Sequence, residues 1–336
     1  MALHIGVIGG SGFIGAWLVE ALLRHGHSVT IVDVAPSEQF PELVVTADVR
    51  DRAALLQACR GCTILYNLAA EHRDDVRPRE RYRQVNVEGA ENTCAVAQSL
   101  GIERIVFTSS VAVYGFPQGE ADESAPLRPF NDYGCTKLEA EAVFRQWAER
   151  SPRRSLSIVR PTVVFGPGNR GNVYVLLRQI AAGRPVIIGD GSNRKSMAYV
   201  ANLAGFLVHA LSFGPGVHVH NYVDKPDLDM RELIDLVNRT LGRTRTLRFP
   251  YAVALAVGIG FDIAARLTGR VFPISAIRVR KYAANTQFSA IRAEGTGFTP
   301  TDSLQDALIE TVRHEFAPPT GSAALASETS SAGLSR

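Results

Sequence analysis

The first half of the chain alternates short apolar runs with amphipathic stretches. Residues 3–8, 29–34, 43–47, 64–68, 105–109 and 156–160 read as buried strands. Between them, 13–25, 52–58, 87–100 and 133–150 carry apolar positions at helical spacing. Strands separated by helix-length segments predict βαβ units, a parallel sheet and right-handed crossovers. After Pro161 the pattern loosens, and glycines and prolines cluster at 166–171, 183–191 and 214–216. A helix-like run at 201–211 and a strand-like run at 217–223 are expected to return to the main sheet. The fold class expected is therefore α/β, a doubly wound parallel sheet with a smaller α/β cap. Residues 1–165 plus 197–221 would form the nucleotide-binding domain, and 166–196 plus 222–316 the substrate-binding cap. From 317 to 336 the chain is small and polar and is expected to be a disordered tail.

Composition narrows the class. The chain has 336 residues, room for one large domain and a smaller one. Its 46% hydrophobic and 21% charged content suits a globular enzyme with a real core. A net charge of +3 is too small to argue for nucleic acid. No run of 18 or more apolar residues is present, so no bilayer span is expected, and the N-terminus lacks the basic region of a signal peptide. Cysteines at 59, 62, 94 and 135 do not suggest a disulfide framework. Cys59 and Cys62 form a lone CxxC, expected to pack where a helix passes into a strand. No metal is expected, and the compartment expected is a reducing cytoplasm.

The sequence GGSGFIG, with Gly9, Gly12, Phe13, Ile14 and Gly15, follows the first strand and opens the first helix. A tight turn there lets backbone N–H groups and the positive helix end meet a pyrophosphate. Asp33 ends the second strand, where a carboxylate accepts from an adenosine ribose and repels a 2′-phosphate. No Arg or Lys follows in VAPSEQ, so NAD is expected rather than NADP. Asp48 and Val49 suit an adenine contact. Leu68, Ala69 and Ala70 follow Asn67 with small side chains that let a dinucleotide pass over the strand end. The expected sheet is accordingly of the Rossmann type.

Tyr133 and Lys137 form a YxxxK motif in a chain with only four lysines. Spacing of i, i+4 puts both on one helix face. An ammonium beside a phenol lowers its pKa and lets the phenolate act as a base. Ser110, in TSSVAVYG at a strand end, could hold the substrate oxygen beside Tyr133.

The motifs GxxGxxG at 9–15, SSVAVYG at 109–115, YxxxK at 133–137 and RPTVVFGPG at 160–168 together resemble the extended short-chain dehydrogenases of the NAD-dependent epimerase/dehydratase family. That resemblance implies Ser110, Tyr133 and Lys137 as the catalytic set, with Tyr133 and Lys137 also at the cofactor. It further implies Asn86 in VNVEG and Pro161 at the cofactor site. Two positions depart from the family pattern: Asn67 stands where a histidine is frequent, and Ser196 where the residue is often acidic. Longer strings, among them AAEHRDDV at 69–76, PFNDYG at 129–134 and RVRKYAANTQF at 278–288, resemble one bacterial subgroup. Its members are 4-epimerases of N-acetylglucosamine carried on undecaprenyl diphosphate. The implied reaction passes through a 4-keto sugar and regenerates NAD.

The alternatives left open are a UDP-glucose or UDP-N-acetylglucosamine 4-epimerase, a nucleotide-sugar reductase and a non-catalytic NAD-binding protein. A 4,6-dehydratase is disfavoured, because Val111 and Ala112 stand where an acid pair would be expected.

Other segments bear on substrate and partners. Asn172 follows Arg170 at the start of a helix-like run, a seat for a diphosphate or simply a capping loop. Arg194 and Lys195 are implied as sugar or phosphate contacts. The loop 72–75, His-Arg-Asp-Asp, is either solvated or in contact with substrate. The uncharged run 251–261 reads as a core helix, with an interfacial surface meeting a lipid tail as the alternative. Basic residues dominate 262–292, which suits an anionic membrane surface. A homodimer through the helices 87–100 and 133–150 and peripheral contact with the inner membrane are expected.

Overall fold

The computed structural model describes residues 2–73, 76–183, 186–243, 247–269 and 275–317. Asp74, Asp75, Arg270 and the expected tail from 318 onwards lie outside the described residues, as do the side chains of Arg278 and Lys281.

Seven strands form one parallel sheet. They are β1 (His4–Ile8), β2 (Ser28–Asp33), β3 (Val44–Thr46), β4 (Ile64–Asn67), β5 (Arg104–Thr108), β6 (Ser155–Pro161) and β7 (Gly216–Tyr222), in the order β7-β6-β5-β4-β1-β2-β3. Every residue of β6 is buried, as befits a strand covered on both faces. Helices α1 (Phe13–Arg24), α2 (Arg52–Ala58), α3 (Gly89–Ser99) and α4 (Asp132–Glu149) supply most of that cover. On one face, Leu55, Val96, Phe144 and Trp147 pack on Leu65, Phe107 and Ile158. On the other, Leu18 and Leu22 join Phe206 and Leu207, from the helix Val200–His209, over Val7, Ile31 and Val106. The expected doubly wound Rossmann-type sheet is therefore present. The order reverses between β1 and β4, the switch point at which such sheets bind ligands beyond their strand ends.

Two local departures matter. The helix expected from residue 87 is preceded by a π-helical turn at Gln84–Glu88, which shifts the start of α3 to Gly89. Such turns often re-aim a functional side chain; here it carries Asn86. Cys59 and Cys62 are buried free thiols between α2 and β4, and burial pushes them up to about 12 and about 11, so both stay protonated.

The chain divides into two compact units: Met1–Gly166, Arg194–Leu228 and Ala284–Leu304 form the larger, and Pro167–Asn193, Asp229–Ala283 and Gln305–Arg336 the smaller. Residues 222–228 and 284–304, expected in the cap, thus cluster with the larger unit. Small pairings explain this. Strand Asp224–Asp229 joins Arg194–Tyr199, and Gln287–Phe288 pairs with Glu120–Ala121.

In the smaller unit, α5 (Asn172–Ala181) packs against α6 (Met230–Thr240). Asp229 opens α6 with a reciprocal cap to Glu232. Helices α7 (Tyr251–Thr268), α8 (Ala276–Ala283) and α9 (Leu304–Phe316) follow. The expected core helix at 251–261 is overturned. Helix α7 runs on for 18 residues, and only Gly258 in it is buried. It is also long and apolar enough to cross a membrane by length and composition, where no such segment was expected. Within it, the Asp262 carboxylate accepts from the N–H of Ala276 at 3.0 Å.

Candidate functional site

The glycine turn sits at the end of β1. Gly9 has φ +81°, and a Cβ there would meet the backbone N of Ala69 at 2.5 Å. A Cβ on Gly15 would lie 2.5 Å from the carbonyl of Gly10. Both positions therefore demand glycine for packing. Gly12 differs: its added Cβ would meet only the Gly9 carbonyl, at 3.4 Å. Gly12 is the N-cap of α1, with no side-chain cap and no acid in the first turn. The N–H groups at Phe13 and Ile14 thus open an uncapped helix end, a fit for a pyrophosphate. Asp33 accepts from Ser11 N and Ala35 N, each at 3.0 Å, which turns its carboxylate toward the same loop and leaves lone pairs for a ribose. The cradle fits NAD, with Gly9, Gly12, Gly15 and Asp33 arranged to hold it.

Around this turn, Leu68 N and Ala69 N both donate to Ile8 O, drawing the end of β4 over β1. Ala70 follows them, and Val49 is buried against Gly89. Asp48 is paired with Arg50 by a 3.0 Å hydrogen bond, which holds its carboxyl below the ordinary range. Pro161 closes β6, buried beneath the same strand ends. Asn67 Oδ1 and Thr108 Oγ1, at the ends of β4 and β5, are buried without a hydrogen-bond partner among the described residues.

Ser110 ends the segment after β5, and its Oγ accepts from Ala112 N at 3.1 Å. Tyr133 is the second residue of α4, behind the cap that Asn131 makes to Gly134 N at 2.9 Å. The Ser110 hydroxyl is near enough to the Tyr133 phenol to act on its ionisation. Lys137 lies one turn further and is 2% exposed, its Nζ 4.4 Å from the Phe107 ring centroid. Parallel pairing of β1, β4 and β5 puts Ser110 and the glycine turn at the same end of the sheet, with Lys137 over Phe107 of β5.

The electrostatics differ from the expectation at Tyr133. Burial pushes its phenol up, and the neighbouring Ser110 hydroxyl only partly opposes this. Burial pulls Lys137 down to about 7, and the carboxylate of Glu141 pulls the other way. The protein alone therefore holds both groups toward neutrality rather than depressing the phenol, because desolvation dominates at each.

Glu141 is a residue that the sequence reading missed. Tyr133, Lys137 and Glu141 continue the i, i+4 spacing, so YxxxKxxxE was the available signal. Glu141 is 1% exposed and accepts from Ser109 Oγ at 2.6 Å. Its carboxylate forms a fork with Arg160, at 2.8 Å to Nε and 2.6 Å to Nη2. Arg160 Nη1 donates to Tyr114 Oη at 2.7 Å, and Tyr114 Oη to Asn221 Oδ1 at 2.8 Å. A buried, fully partnered chain thus links α4, β6 and β7 beneath Ser110.

Asn86, raised on its π turn, spends its amide on structure. Its Nδ2 donates to Thr136 Oγ1 at 2.9 Å and Glu71 O at 3.1 Å, and its Oδ1 accepts from Glu71 N at 2.8 Å. That fastens the loop after β4 to the turn of α4 between Tyr133 and Lys137. His72 and Arg73 in this loop are exposed.

The expected substrate contacts fall in both units. Asn172 is the exposed first residue of α5, in the smaller unit. Its neighbour Arg170 is paired with Glu315 at 2.6 Å and lies over the Tyr174 ring, so its charge is already answered. Arg194 and Lys195 belong to the larger unit. Arg194 donates to Asp227 O at 3.1 Å, while Lys195 Nζ donates to Ala284 O and is pulled down to about 8 by burial. Ser196 bonds Asp227 Oδ1 at 2.8 Å, a structural use of the position.

Known proteins resemble this arrangement. The model of the NAD dependent epimerase/dehydratase family matches residues 5–222. An Escherichia coli O157:H7 protein named N-acetyl-alpha-D-glucosaminyl-diphospho-ditrans,octacis-undecaprenol 4-epimerase is 44% identical over 313 residues, 92% of this chain and 94% of its own length. An Arabidopsis thaliana 3beta-hydroxysteroid-dehydrogenase/decarboxylase is 28% identical over 344 residues, 91% of this chain and 78% of its own. Among solved structures, the Bacillus cereus UDP-glucuronic acid 4-epimerase in complex with NAD superposes with a TM-score of 0.72 at 21% identity, over 93% of this chain and 98% of that one.

Proposed function

The chain belongs to the NAD-dependent epimerase/dehydratase family, and on that footing we infer that it is an NAD-dependent 4-epimerase of lipid-linked sugar. It interconverts N-acetylglucosamine and N-acetylgalactosamine carried on undecaprenyl diphosphate, in the assembly of a surface polysaccharide. This reading is supported by Ser110, after β5, lying at the same end of the sheet as the glycine turn, with Tyr133 and Lys137 on one helix beside it, in a chain so similar to the Escherichia coli enzyme. The larger unit would seat NAD, with Asn172, Arg194 and Lys195 as candidate substrate contacts.

NAD, when bound, supplies the acceptor and donor of hydride at carbon 4. The residues of the chain hold the oxygen and move the proton. Ser110 Oγ orients the 4-oxygen. Tyr133 Oη accepts the 4-hydroxyl proton and returns it to the 4-keto sugar once the other face is presented. When Lys137 carries its proton, its ammonium would oppose the burial that keeps the phenol neutral. Glu141 holds the lysine side of this face in place through its fork to Arg160.

Tyr133→Phe is expected to lower turnover by about 10³-fold or more while NAD remains bound, as read by coupled assay and by cofactor retention on gel filtration. Substantial residual epimerisation would remove Tyr133 from its role. Offering the enzyme both polyprenyl-linked and UDP-linked N-acetylglucosamine decides the carrier. Preference for the UDP sugar would replace this reading with a nucleotide-sugar epimerase. A homodimer through α3 and α4, working at the inner face of the membrane that carries such a substrate, belongs to the same proposal. Sedimentation equilibrium reads its oligomeric part.

A further inference from the structure

Helix α7 exposes what a helix of a globular protein ordinarily buries. Ala254, Leu255, Gly258, Phe261, Asp262, Ala264 and Ala265 are its less exposed residues, most of them at i, i+3 and i+4 spacing. Gly258 packs against α8: a Cβ there would lie 2.9 Å from Ala276 N. The rest of the surface is apolar and open. Val253, Val257, Ile259 and Ile263 are 43–53% exposed and Leu267 is 81% exposed. The preceding strand adds Phe249, and α8 adds Ile277, both exposed. Patches of this extent mark a partner.

Charge says which partner. Segment 247–283 contains six basic residues, Arg248, Arg266, Arg270, Arg278, Arg280 and Lys281, against one acid, Asp262. Asp262 is spent on Ala276 N. Arg248, Arg266 and Arg280 are exposed. An apolar face rimmed by arginine matches an anionic leaflet, with the arginine stems lying along the apolar surface and their heads among the lipid phosphates.

We propose that α7 lies in the plane of an anionic membrane, its apolar face sunk in the headgroup–acyl boundary, as the element that brings this protein to lipid. The proposal rests on the lipid-linked substrate only for its purpose. The orientation follows from the fold. Eighteen residues give about 27 Å, close to the thickness of a hydrocarbon core. Yet the middle of α7 is fastened side-on to the start of α8. A spanning helix would carry the Asp262 carboxylate and the open N-terminal backbone N–H groups of α8 fastened to it into hydrocarbon, where such groups are not tolerated.

The test uses the full chain with NAD bound and vesicles of phosphatidylglycerol and phosphatidylethanolamine. Wild type is expected to pellet with these vesicles, less with phosphatidylcholine alone, and to be released by alkaline carbonate. Ile263→Glu with Leu267→Glu is expected to lower vesicle binding by about tenfold or more. It should leave epimerisation of a water-soluble, short-chain diphosphate-linked N-acetylglucosamine unchanged. Arg266→Glu with Arg280→Glu, which spares the apolar face, should lower the preference for anionic lipid.

No pelleting at low salt would overturn the proposal. So would resistance to alkaline extraction, which means a span, or loss of dimer rather than of lipid binding in the Glu variant, which means a face between copies. Vesicle binding with no turnover on any glycosyl diphosphate would sink the enzymatic reading and leave this one standing. Turnover without vesicle binding would do the reverse.

Discussion

Helices α4 and α7 are each 18 residues long, yet they dispose of charge in opposite ways. Helix α4 is polar on average and sinks a lysine and a glutamate, Lys137 and Glu141, to 2% and 1% exposure. Helix α7 carries almost no charge and buries one glycine. Composition would have placed them the other way round. Burying an ion costs several kcal/mol unless partners answer it, and α4 meets that cost with Arg160, Tyr114 and Ser109. Exposing an apolar face forgoes about 25 cal/mol per Å², and nothing among the described residues of α7 offsets it. Each helix departs from the usual pattern where a function requires it. On the proposed reading, one prepares a site for a proton, and the other prepares a surface for a partner outside the chain.

The largest effect expected is at the floor of the catalytic unit. Glu141→Ala leaves Arg160 buried without its carboxylate and Ser109 without its acceptor. Removing one partner of a buried pair costs about 3–5 kcal/mol, measurable by denaturant titration. Replacing Glu141 and Arg160 together with Leu and Met should recover much of this stability but not the activity. If the single variant were as stable as wild type, the buried network would not be what holds α4 to β6.

Lys137→Met should act with the opposite sign. Its folded pKa is pulled down to about 7 from the ordinary lysine value, so the folded state binds the proton less well than the unfolded chain. Below pH 7 both states carry the proton, and the cost of burying an ammonium is felt in full. As the pH rises above 7 the folded state sheds it and stability recovers. The variant is therefore expected to gain about 1 kcal/mol or more at pH 6, a rise of about 2 °C or more in Tm, and to gain less at pH 9. Turnover should be lost at both. A Tm difference that grows with pH would mean that Lys137 is answered by more than Glu141.

Features written in local spacing were legible beforehand. The turn at Gly9–Gly15 and the pair Tyr133 and Lys137 needed only their own strand and helix to be placed. The sheet was legible for the same reason, since each strand was flagged by its own apolar run. What escaped depends on distant chain. Arg160 meets Glu141 across 19 residues, and Tyr114 meets Asn221 across 107; no periodicity reports either. Residues 284–304 return to the larger unit through a two-residue strand too short to show a pattern. The apolar run in α7 is ambiguous in principle, because a core helix and an interfacial helix share a composition and differ only in what packs against them.

The smallest expected effect is also the sharpest test of that contrast. Leu18 in α1 and Leu267 in α7 are the same residue type on helices, at 0% and 81% exposure. Leu18→Ala removes a side chain packed over β1 and should cost about 2–5 kcal/mol. Leu267→Ser removes one that already faces water and should change stability by less than about 0.5 kcal/mol in dilute buffer. The two numbers diverge further with lipid present. A bound bilayer stabilises only the folded, docked form, so adding anionic vesicles should raise the Tm of wild type and of Leu18→Ala by similar amounts, and that of Leu267→Ser by less. A Leu267→Ser cost near that of Leu18→Ala in plain buffer would mean that α7 already packs against protein, through a second copy, and its apolar face would then belong to an assembly rather than to a membrane.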